Sequence, residues 1–160
     1  MSNADAIYEW WFGLKDDRGA VARLRRAGDL TTILMEPETL KLARRLKKRP
    51  DELEGVAVLA AVLAEVRDDA PHLRVAKALG SPEGQPCCSA LRFRRLLEAP
   101  PGEAQLTAFR RALAQLGRSA NVRDLAESLL DWNDRRRQRW LYDYYHTENP
   151  AVGQNQETAL

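Results

Sequence analysis

Apolar residues recur along this chain at the spacing that places them on one face of an α-helix. The first example lies near the start, where four bulky side chains follow an i, i+3, i+4, i+7 order. These are Ile7, Trp10, Trp11 and Leu14. The stretch from Val56 to Val66 is apolar on almost every side, which predicts a helix at the centre of the core. No segment alternates apolar and polar residues over the length of a strand, so we expect an all-α fold of about seven to nine helices.

Two further apolar seams lie in the second half of the chain. Asn121 lies directly before the second seam and can cap the helix that carries it. Asp134 lies after that seam and can cap a last helix. Gly117 ends the first seam, because glycine accepts the left-handed backbone found at helix C-termini. We expect both seams to be buried, with Trp132 as the anchor of the second. The first is Leu106, Phe109, Leu113 and Leu116, and the second is Val122, Leu125, Leu129 and Trp132.

Residues 80–86, with the sequence GSPEGQP, have the glycine and proline content of a turn-rich linker. They predict two small helical halves, at residues 1–79 and 89–146, joined by a linker at residues 80–88. The final residues, 147–160, are polar and have no repeating pattern. We expect this tail to be disordered because it offers too little apolar surface to bury.

Charge is distributed unevenly along the 160 residues, although the formal net charge is only +2. Residues 15–50 carry eleven basic and five acidic side chains, a net charge of +6. The next segment, 51–87, has three basic and seven acidic residues and a net charge of −4, and residues 88–146 return to +4. Two basic segments therefore flank an acidic one, and this segregation is more informative about partners than the total charge.

The sequence lacks the features of several functional classes. No apolar run approaches the roughly 18 residues needed to span a bilayer, and no leader with a cleavage site is present, so we expect a cytoplasmic protein without membrane contact. The adjacent Cys87 and Cys88 and the isolated His72 and His146 lack the spacing of metal ligands. No phosphate-binding glycine loop or nucleophile–base arrangement is present, so we expect no catalytic residue, metal or cofactor.

Basic residues at helical spacing predict binding surfaces on several helices. One stripe follows Pro37, which suits the first turn of a helix, and no acidic residue lies between Glu38 and Asp51. Other arginines lie opposite the apolar seams, where a planar guanidinium can hold two phosphate oxygens. Arg110 and Arg111 are expected to be exposed in this way and dispensable for stability. The stripe comprises Lys41, Arg44, Arg45 and Lys48, and further candidates are Arg95, Arg118, Arg135 and Arg139.

Four motifs occur in a fixed order over residues 89–145. They are S-x-x-R-F-x-x-L-L-E-A, F-R-R-A-L, D-L-x-x-x-L-L-x-W and R-W-L-Y-D-Y-Y. Together they resemble the CasB family, the small helical subunit of type I-E CRISPR surveillance complexes. The resemblance implies a non-catalytic subunit that holds guide RNA and displaced or target DNA backbones without reading sequence, stabilising the R-loop. The implied partners are guide RNA, target DNA, the backbone and large subunits of the Cascade complex and a second copy of the chain.

The basic surface of that family carries over to matching positions in this sequence. The nucleic-acid-binding residues implied by the resemblance are Arg25 or Arg26, Arg92, Arg110 and Arg111, and Arg135 and Arg137. The residue pattern by itself leaves a second interpretation open, a helical adaptor whose basic faces meet acidic protein partners. A steep loss of oligonucleotide affinity with rising salt would distinguish a nucleic-acid-binding protein from such an adaptor.

Overall fold

The apolar seams become amphipathic helices in the computed structural model, which describes residues 1–81 and 84–146. This part of the chain contains ten α-helices and a 3₁₀ turn at Pro50–Glu52. The predicted all-α class is confirmed, and the number of helices is one above the upper end of the predicted range of seven to nine. The predicted tail, residues 147–160, lies outside the described residues. The helices are α1 (Asn3–Leu14), α2 (Arg18–Arg26), α3 (Leu30–Leu34), α4 (Pro37–Arg45), α5 (Leu53–Ala64), α6 (Val75–Leu79), α7 (Ala90–Glu98), α8 (Glu103–Gln115), α9 (Val122–Leu130) and α10 (Asp134–Tyr144).

A very short parallel sheet joins two loops, and no sequence pattern predicted it. Its strands are β1 (Asp68–Asp69), which follows α5, and β2 (Ser119–Ala120), which follows α8. Asp68 lies opposite Ser119, and Asp69 lies opposite Ala120. Strands of two residues are too short for apolar alternation to be recognised in the sequence. The pairing ties the C-terminal ends of α5 and α8 together.

Helix α5 lies at the centre of the packing, as its uniformly apolar sequence predicted. Every residue from Val56 to Ala64 is buried. Helices α2, α3, α4, α8 and α9 all contact it. Because these neighbours surround α5, each of its faces is covered by another helix, which explains why it lacks the polar stripe of a surface helix.

Helices from both sides of the predicted linker share one hydrophobic core. Helix α1 packs against α9, and α6 packs against α10. Buried residues of both halves belong to the same apolar cluster. Trp10 and Trp11 are buried in it, and their indole N–H groups donate to the carbonyl oxygens of Glu38 and Val66. Residues 80–88 therefore connect two sequence segments that pack as one unit.

A buried polar network reinforces the contact of α6 with α9 and α10. The Asp124 carboxylate accepts from the backbone N–H of Val75 at 2.9 Å and from Arg139 at 2.6 Å. Arg74 donates to Asp143 at 3.0 Å. Burial raises the pKa of the Asp143 carboxyl, and the neighbouring Arg74 and Arg139 guanidinium groups act against that rise. These contacts between buried carboxylates and their partners link α6 to α9 and α10.

The predicted N-terminal capping residue is confirmed for α9 and is wrong for α10. Asn121 caps α9 as predicted, its side chain accepting from the backbone N–H of Asp124. The cap of α10 is Asn133 rather than Asp134, because the Asn133 side chain accepts from Arg136 N–H and Asp134 is the first helical residue. Over residues 1–81 and 84–146, none of the helices is long and apolar enough to cross a membrane.

Candidate nucleic-acid interface

Three of the predicted binding arginines line one groove between α7 and α8. Helix α7 begins at the capping residue Ser89, and α8 begins after Gly102, whose φ of 104° turns the chain back. Their apolar faces pack together, and Leu96, Ala108 and Ala112 form the floor of a groove with a volume of about 470 Å³. We call this the α7–α8 groove and define it by the basic side chains that line it. These are Arg92, Arg95 and Arg111.

The three arginines of the α7–α8 groove are available to a ligand. All are exposed, and none forms an ion pair with another described residue. No acidic side chain lines the groove among the described residues. Arg94 provides the contrast, because it lies on the same helix but pairs with Glu98 at 3.0 Å. The groove therefore concentrates three uncompensated positive charges on two packed helices.

Arg110 does not share this surface, and the prediction that its side chain is exposed is wrong. Its terminal nitrogens donate to the carbonyl oxygens of Ala27 and Leu24, each at 2.7 Å. Its Nε lies 3.5 Å from the Glu65 carboxylate, and its side chain is only 20% exposed. Burial lowers the pKa of Arg110, against the opposing effect of Glu65. Arg110 thus ties α8 to the C-terminal end of α2, while the adjacent Arg111 faces the groove.

Arg118 also departs from the predicted geometry. Helix α8 ends at Gln115, and Arg118 adopts a left-handed backbone with φ 63°. It therefore does not extend the helical face of Arg111. Its guanidinium lies 3.8 Å from Glu65, the carboxylate that Arg110 also approaches. Glu65 is 7% exposed, so this buried acid needs the cations around it.

Arg25 and Arg26, the two arginines of the L-R-R segment at Leu24–Arg26, have different surroundings. Arg25 is half-buried, and its Nε donates to the carbonyl oxygen of Ala64 at 2.7 Å. Burial lowers the pKa of Arg25, as do the nearby Arg118 and Arg67, whereas Glu65 opposes them. Arg26 is exposed. Of the two alternatives, Arg26 is the more accessible to a ligand.

The basic stripe of α4 is partly neutralised by one acid on its own helix and one on α1. Lys41 pairs with Glu38 at 2.8 Å on the same helix. Arg45 lies 3.9 Å from Glu9 of α1. Arg44 is exposed and forms no ion pair with another described residue. The stripe is therefore a weaker concentration of charge than the α7–α8 groove.

The arginines of α10 divide between surface and interior. Arg135 is exposed. Arg137 donates to the Leu97 carbonyl oxygen at 3.1 Å, and its guanidinium lies 5.5 Å from the centre of the Trp132 ring. Arg139 was predicted to lie opposite an apolar seam as Arg135 does, but it is half-buried and bound to Asp124. The attraction of that buried carboxylate, 15 residues away in sequence, is the reason for the difference.

A second basic groove was missed by sequence reasoning. It has a volume of about 310 Å³ and lies between α1, α2 and the end of α5. Its exposed cations are Lys15, Arg18 and Arg67, and the predicted candidate Arg25 also lines it. We call it the α1–α2 groove. Lys15 and Arg18 lie at the two ends of the connection between α1 and α2, and Arg67 follows α5, so no helical period marks the three cations. Arg67 also lies in the acidic segment of the sequence.

The sequence of residues 20–145 matches the family described as CRISPR-associated protein Cse2. The chain belongs to this family. The match spans most of the chain, and it includes the L-R-R segment and both helices of the α7–α8 groove. No curated protein sequence matches this Cse2 family member.

Two solved structures share the fold of this Cse2 family chain. CasB from Thermus thermophilus is 23% identical to it, with a TM-score of 0.69 over 91% of this chain and 99% of that chain. A chain in the crystal structure of E. coli Cascade bound to a PAM-containing dsDNA target is 22% identical, with a TM-score of 0.69 over 89% of this chain and 93% of that one. The predicted membership of the CasB family is confirmed.

Proposed function

We propose that this chain is a non-catalytic small subunit of a CRISPR RNA-guided surveillance complex and that it holds nucleic-acid backbone in the α7–α8 groove. The observation that carries this proposal is the convergence of Arg92, Arg95 and Arg111 on one groove without an acidic partner. Holding the guide and the displaced or target strands by their backbones stabilises the R-loop. Membership of the CRISPR-associated Cse2 family supports the assignment of this chain to such a complex.

The chemistry of the groove favours phosphate over base recognition. A guanidinium presents a rigid fork of N–H donors that matches two phosphate oxygens. Besides the three arginines, Gln115 is the polar side chain that lines the groove, and the rest of the lining is small or apolar. Contacts to phosphates supply affinity and register but carry no sequence information. We therefore expect binding that is strong at low salt and nearly independent of sequence.

The partners follow from the family and from the shared fold. The E. coli chain of the same fold comes from Cascade bound to a dsDNA target. We assign to this chain the corresponding partners, which are guide RNA, target DNA, the backbone and large subunits of the complex, and a second copy of itself. An adaptor that binds only acidic proteins would use the same cations, so nucleic-acid binding has to be measured directly.

The other predicted cations fall into two groups in this proposal. Those that project from the surface extend the nucleic-acid-binding area around the groove, at lower charge density. Those held by protein atoms stabilise the helices that carry the groove. The first group is Arg26, Lys41, Arg44, Arg45 and Arg135, and the second is Arg25, Arg110, Arg118, Arg137 and Arg139.

Two adjacent residues of α7 provide a matched test. Arg95 lines the groove, whereas Arg94 pairs with Glu98, so replacing either one removes the same charge from the same helix. We expect Arg95→Ala to weaken binding of an oligo-dT strand and to reduce the log–log salt slope by roughly 0.7. Arg94→Ala should change the slope much less. Equal effects of the two substitutions on fluorescence anisotropy titrations would contradict a binding role for the groove.

A further inference from the structure

The α1–α2 groove carries a second concentration of positive charge on this chain. Lys15 follows α1, Arg18 begins α2, and Arg67 lies between α5 and β1. All three are exposed, and none forms an ion pair with another described residue. No acidic side chain lines the groove within the described part of the chain. Like the α7–α8 groove, it therefore presents three uncompensated cations around one depression.

We infer that the α1–α2 groove is a second binding site for phosphodiester backbone, separate from the α7–α8 groove. The inference rests on the proposed function, because it extends nucleic-acid binding to a groove of which only Arg25 was predicted. The two grooves share no lining residue. One chain would then contact a single strand at two places.

The two acids between Lys15 and Arg18 do not line this groove. Asp16 and Asp17 lie between Lys15 and Arg18, yet neither lines the groove. The Asp17 side chain caps α2 by accepting from the backbone N–H of Ala20 at 3.0 Å. That bond commits the Asp17 carboxylate to the helix N-terminus. The cations of the groove therefore remain available to an external anion.

Arg25 gives the groove a fixed cation at its base. Its Nε donates to the Ala64 carbonyl oxygen, which holds the guanidinium against the C-terminal end of α5. Its terminal nitrogens form no hydrogen bond to another described residue. A cation that is already immobilised loses little conformational entropy when it binds a phosphate. Arg25 thus adds a positioned donor to the three exposed cations.

The floor of the groove favours a polyanion over an apolar peptide anchor. Trp11 is 2% exposed, Leu14 3% and Val66 2%, so these residues offer almost no apolar surface for an incoming side chain to cover. The stabilisation from apolar contact scales with the area removed from water, at about 25 cal/mol per Å². Val21 and Ala22 also line the groove and are half-buried, so they add some apolar contact. The exposed cations supply the attraction specific to an anion, and a chain of phosphates supplies their counter-charges at regular spacing.

The aromatic residue of the groove is not a stacking platform for bases. The Lys15 ammonium lies 4.8 Å from the centre of the Trp11 ring and occupies its face. The indole N–H of Trp11 is committed to the Val66 carbonyl oxygen at 3.1 Å. Single-strand binders that hold bases use exposed aromatic faces, which this groove does not provide. We therefore expect contacts to the sugar–phosphate backbone and no preference among bases.

The test compares three triple variants of the full chain with the wild-type protein. The first removes the cations of the α1–α2 groove, the second those of the α7–α8 groove, and the third removes three exposed cations that line neither groove. Binding of a fluorescein-labelled oligo-dT strand of about 15 nucleotides is followed by anisotropy over a range of salt concentrations. The variants are Lys15→Ala/Arg18→Ala/Arg67→Ala, Arg92→Ala/Arg95→Ala/Arg111→Ala and the control Arg49→Ala/Lys77→Ala/Arg94→Ala.

We expect the α1–α2 variant to lose about 2 from the log–log salt slope, which is roughly 0.7 for each lost phosphate contact. The control variant should lose much less, although its change in net charge is the same. If the α1–α2 variant behaves like the control while the α7–α8 variant loses affinity, the inference is overturned and the proposed function stands. If only the α1–α2 variant loses affinity, the inference stands and the α7–α8 groove is not the site.

Two further outcomes complete the test. A wild-type chain that does not bind the oligonucleotide at low salt overturns both the proposed function and the inference, and favours an acidic protein as the occupant of the basic grooves. If an alanine variant unfolds, the corresponding glutamine variant, Lys15→Gln/Arg18→Gln/Arg67→Gln, removes the same charges while it keeps long side chains on the surface. Retained slope and affinity in a folded glutamine variant overturn the inference in the same way.

Discussion

Replacement of Arg110 by alanine is the most direct test of how this fold uses its arginines. The guanidinium donates two hydrogen bonds at 2.7 Å to carbonyl oxygens at the end of α2 and lies 3.5 Å from buried Glu65. Hydrogen bonds from a charged donor contribute about 1.5–3 kcal/mol each, and removal of one partner from a buried pair costs about 3–5 kcal/mol. These terms overlap, because a single guanidinium makes all three contacts.

Arg118 lowers the expected cost, since its guanidinium lies 3.8 Å from Glu65 and remains after the substitution. We therefore expect Arg110→Ala to reduce the free energy of unfolding by about 3 kcal/mol. For a chain of this size, that corresponds to a melting temperature lower by about 6–12 °C. Arg111→Ala should change the free energy of unfolding by less than about 0.5 kcal/mol, because Arg111 is exposed and makes no ion pair with a described residue.

Urea denaturation and thermal unfolding, both followed by circular dichroism, measure the difference between these two variants. Arg110→Lys is a useful third protein, because lysine retains the charge near Glu65 but cannot donate to two carbonyl oxygens in a planar fork. Its stability should lie between those of the wild-type chain and Arg110→Ala. Equal melting temperatures for Arg110→Ala and Arg111→Ala would refute the structural role of Arg110.

Two further predictions concern packing and pH. Gly80→Ala should destabilise the fold by about 2 kcal/mol or more, because the added Cβ would overlap the carbonyl group of Tyr144. Gly84→Ala is the control for urea denaturation, because a Cβ there meets no atom of a described residue within 4 Å. Hydrogen bonds from Thr32 lower the pKa of the Asp29 carboxyl in the folded chain. The ionised carboxylate therefore stabilises the fold above the unfolded pKa of about 3.9, and this contribution is lost as pH falls through the lower folded pKa. Asp29→Asn keeps a capping oxygen but does not titrate, so any stability advantage of the wild-type chain over this variant should shrink in acid; an advantage that is constant with pH would contradict this account.

The positions of the main helices follow from local patterns in the sequence. The spacing of Trp10 and Trp11 with their apolar neighbours predicted a buried face on α1, and both indoles are buried. The apolar run from Val56 to Val66 predicted the central helix. Helix α3 was missed because its five residues, Leu30–Leu34, are too few to establish a helical period.

The candidate site was predictable in part. Arg95 and Arg111 were identified from the residue pattern, and Arg92 from the resemblance to the family. Helical spacing places such residues away from their own apolar seam. Their convergence on one groove depends on how α7 and α8 pack, which the sequence pattern does not specify. The choice between adjacent residues was also beyond the pattern, since Arg94 finds an acid on its own helix while Arg95 does not.

The sequence by itself determined the all-α class, the central position of α5 and the family to which the chain belongs. These depend on short-range spacing and on the order of motifs along residues 89–145. Only the tertiary structure decided which arginines are free. Arg110 meets carbonyl groups 83 and 86 residues away, and the cations of the α1–α2 groove come from segments about 50 residues apart in the sequence. Long-range contacts of this kind leave no periodic signal, because the partner of a surface charge is set by the packing of whole helices.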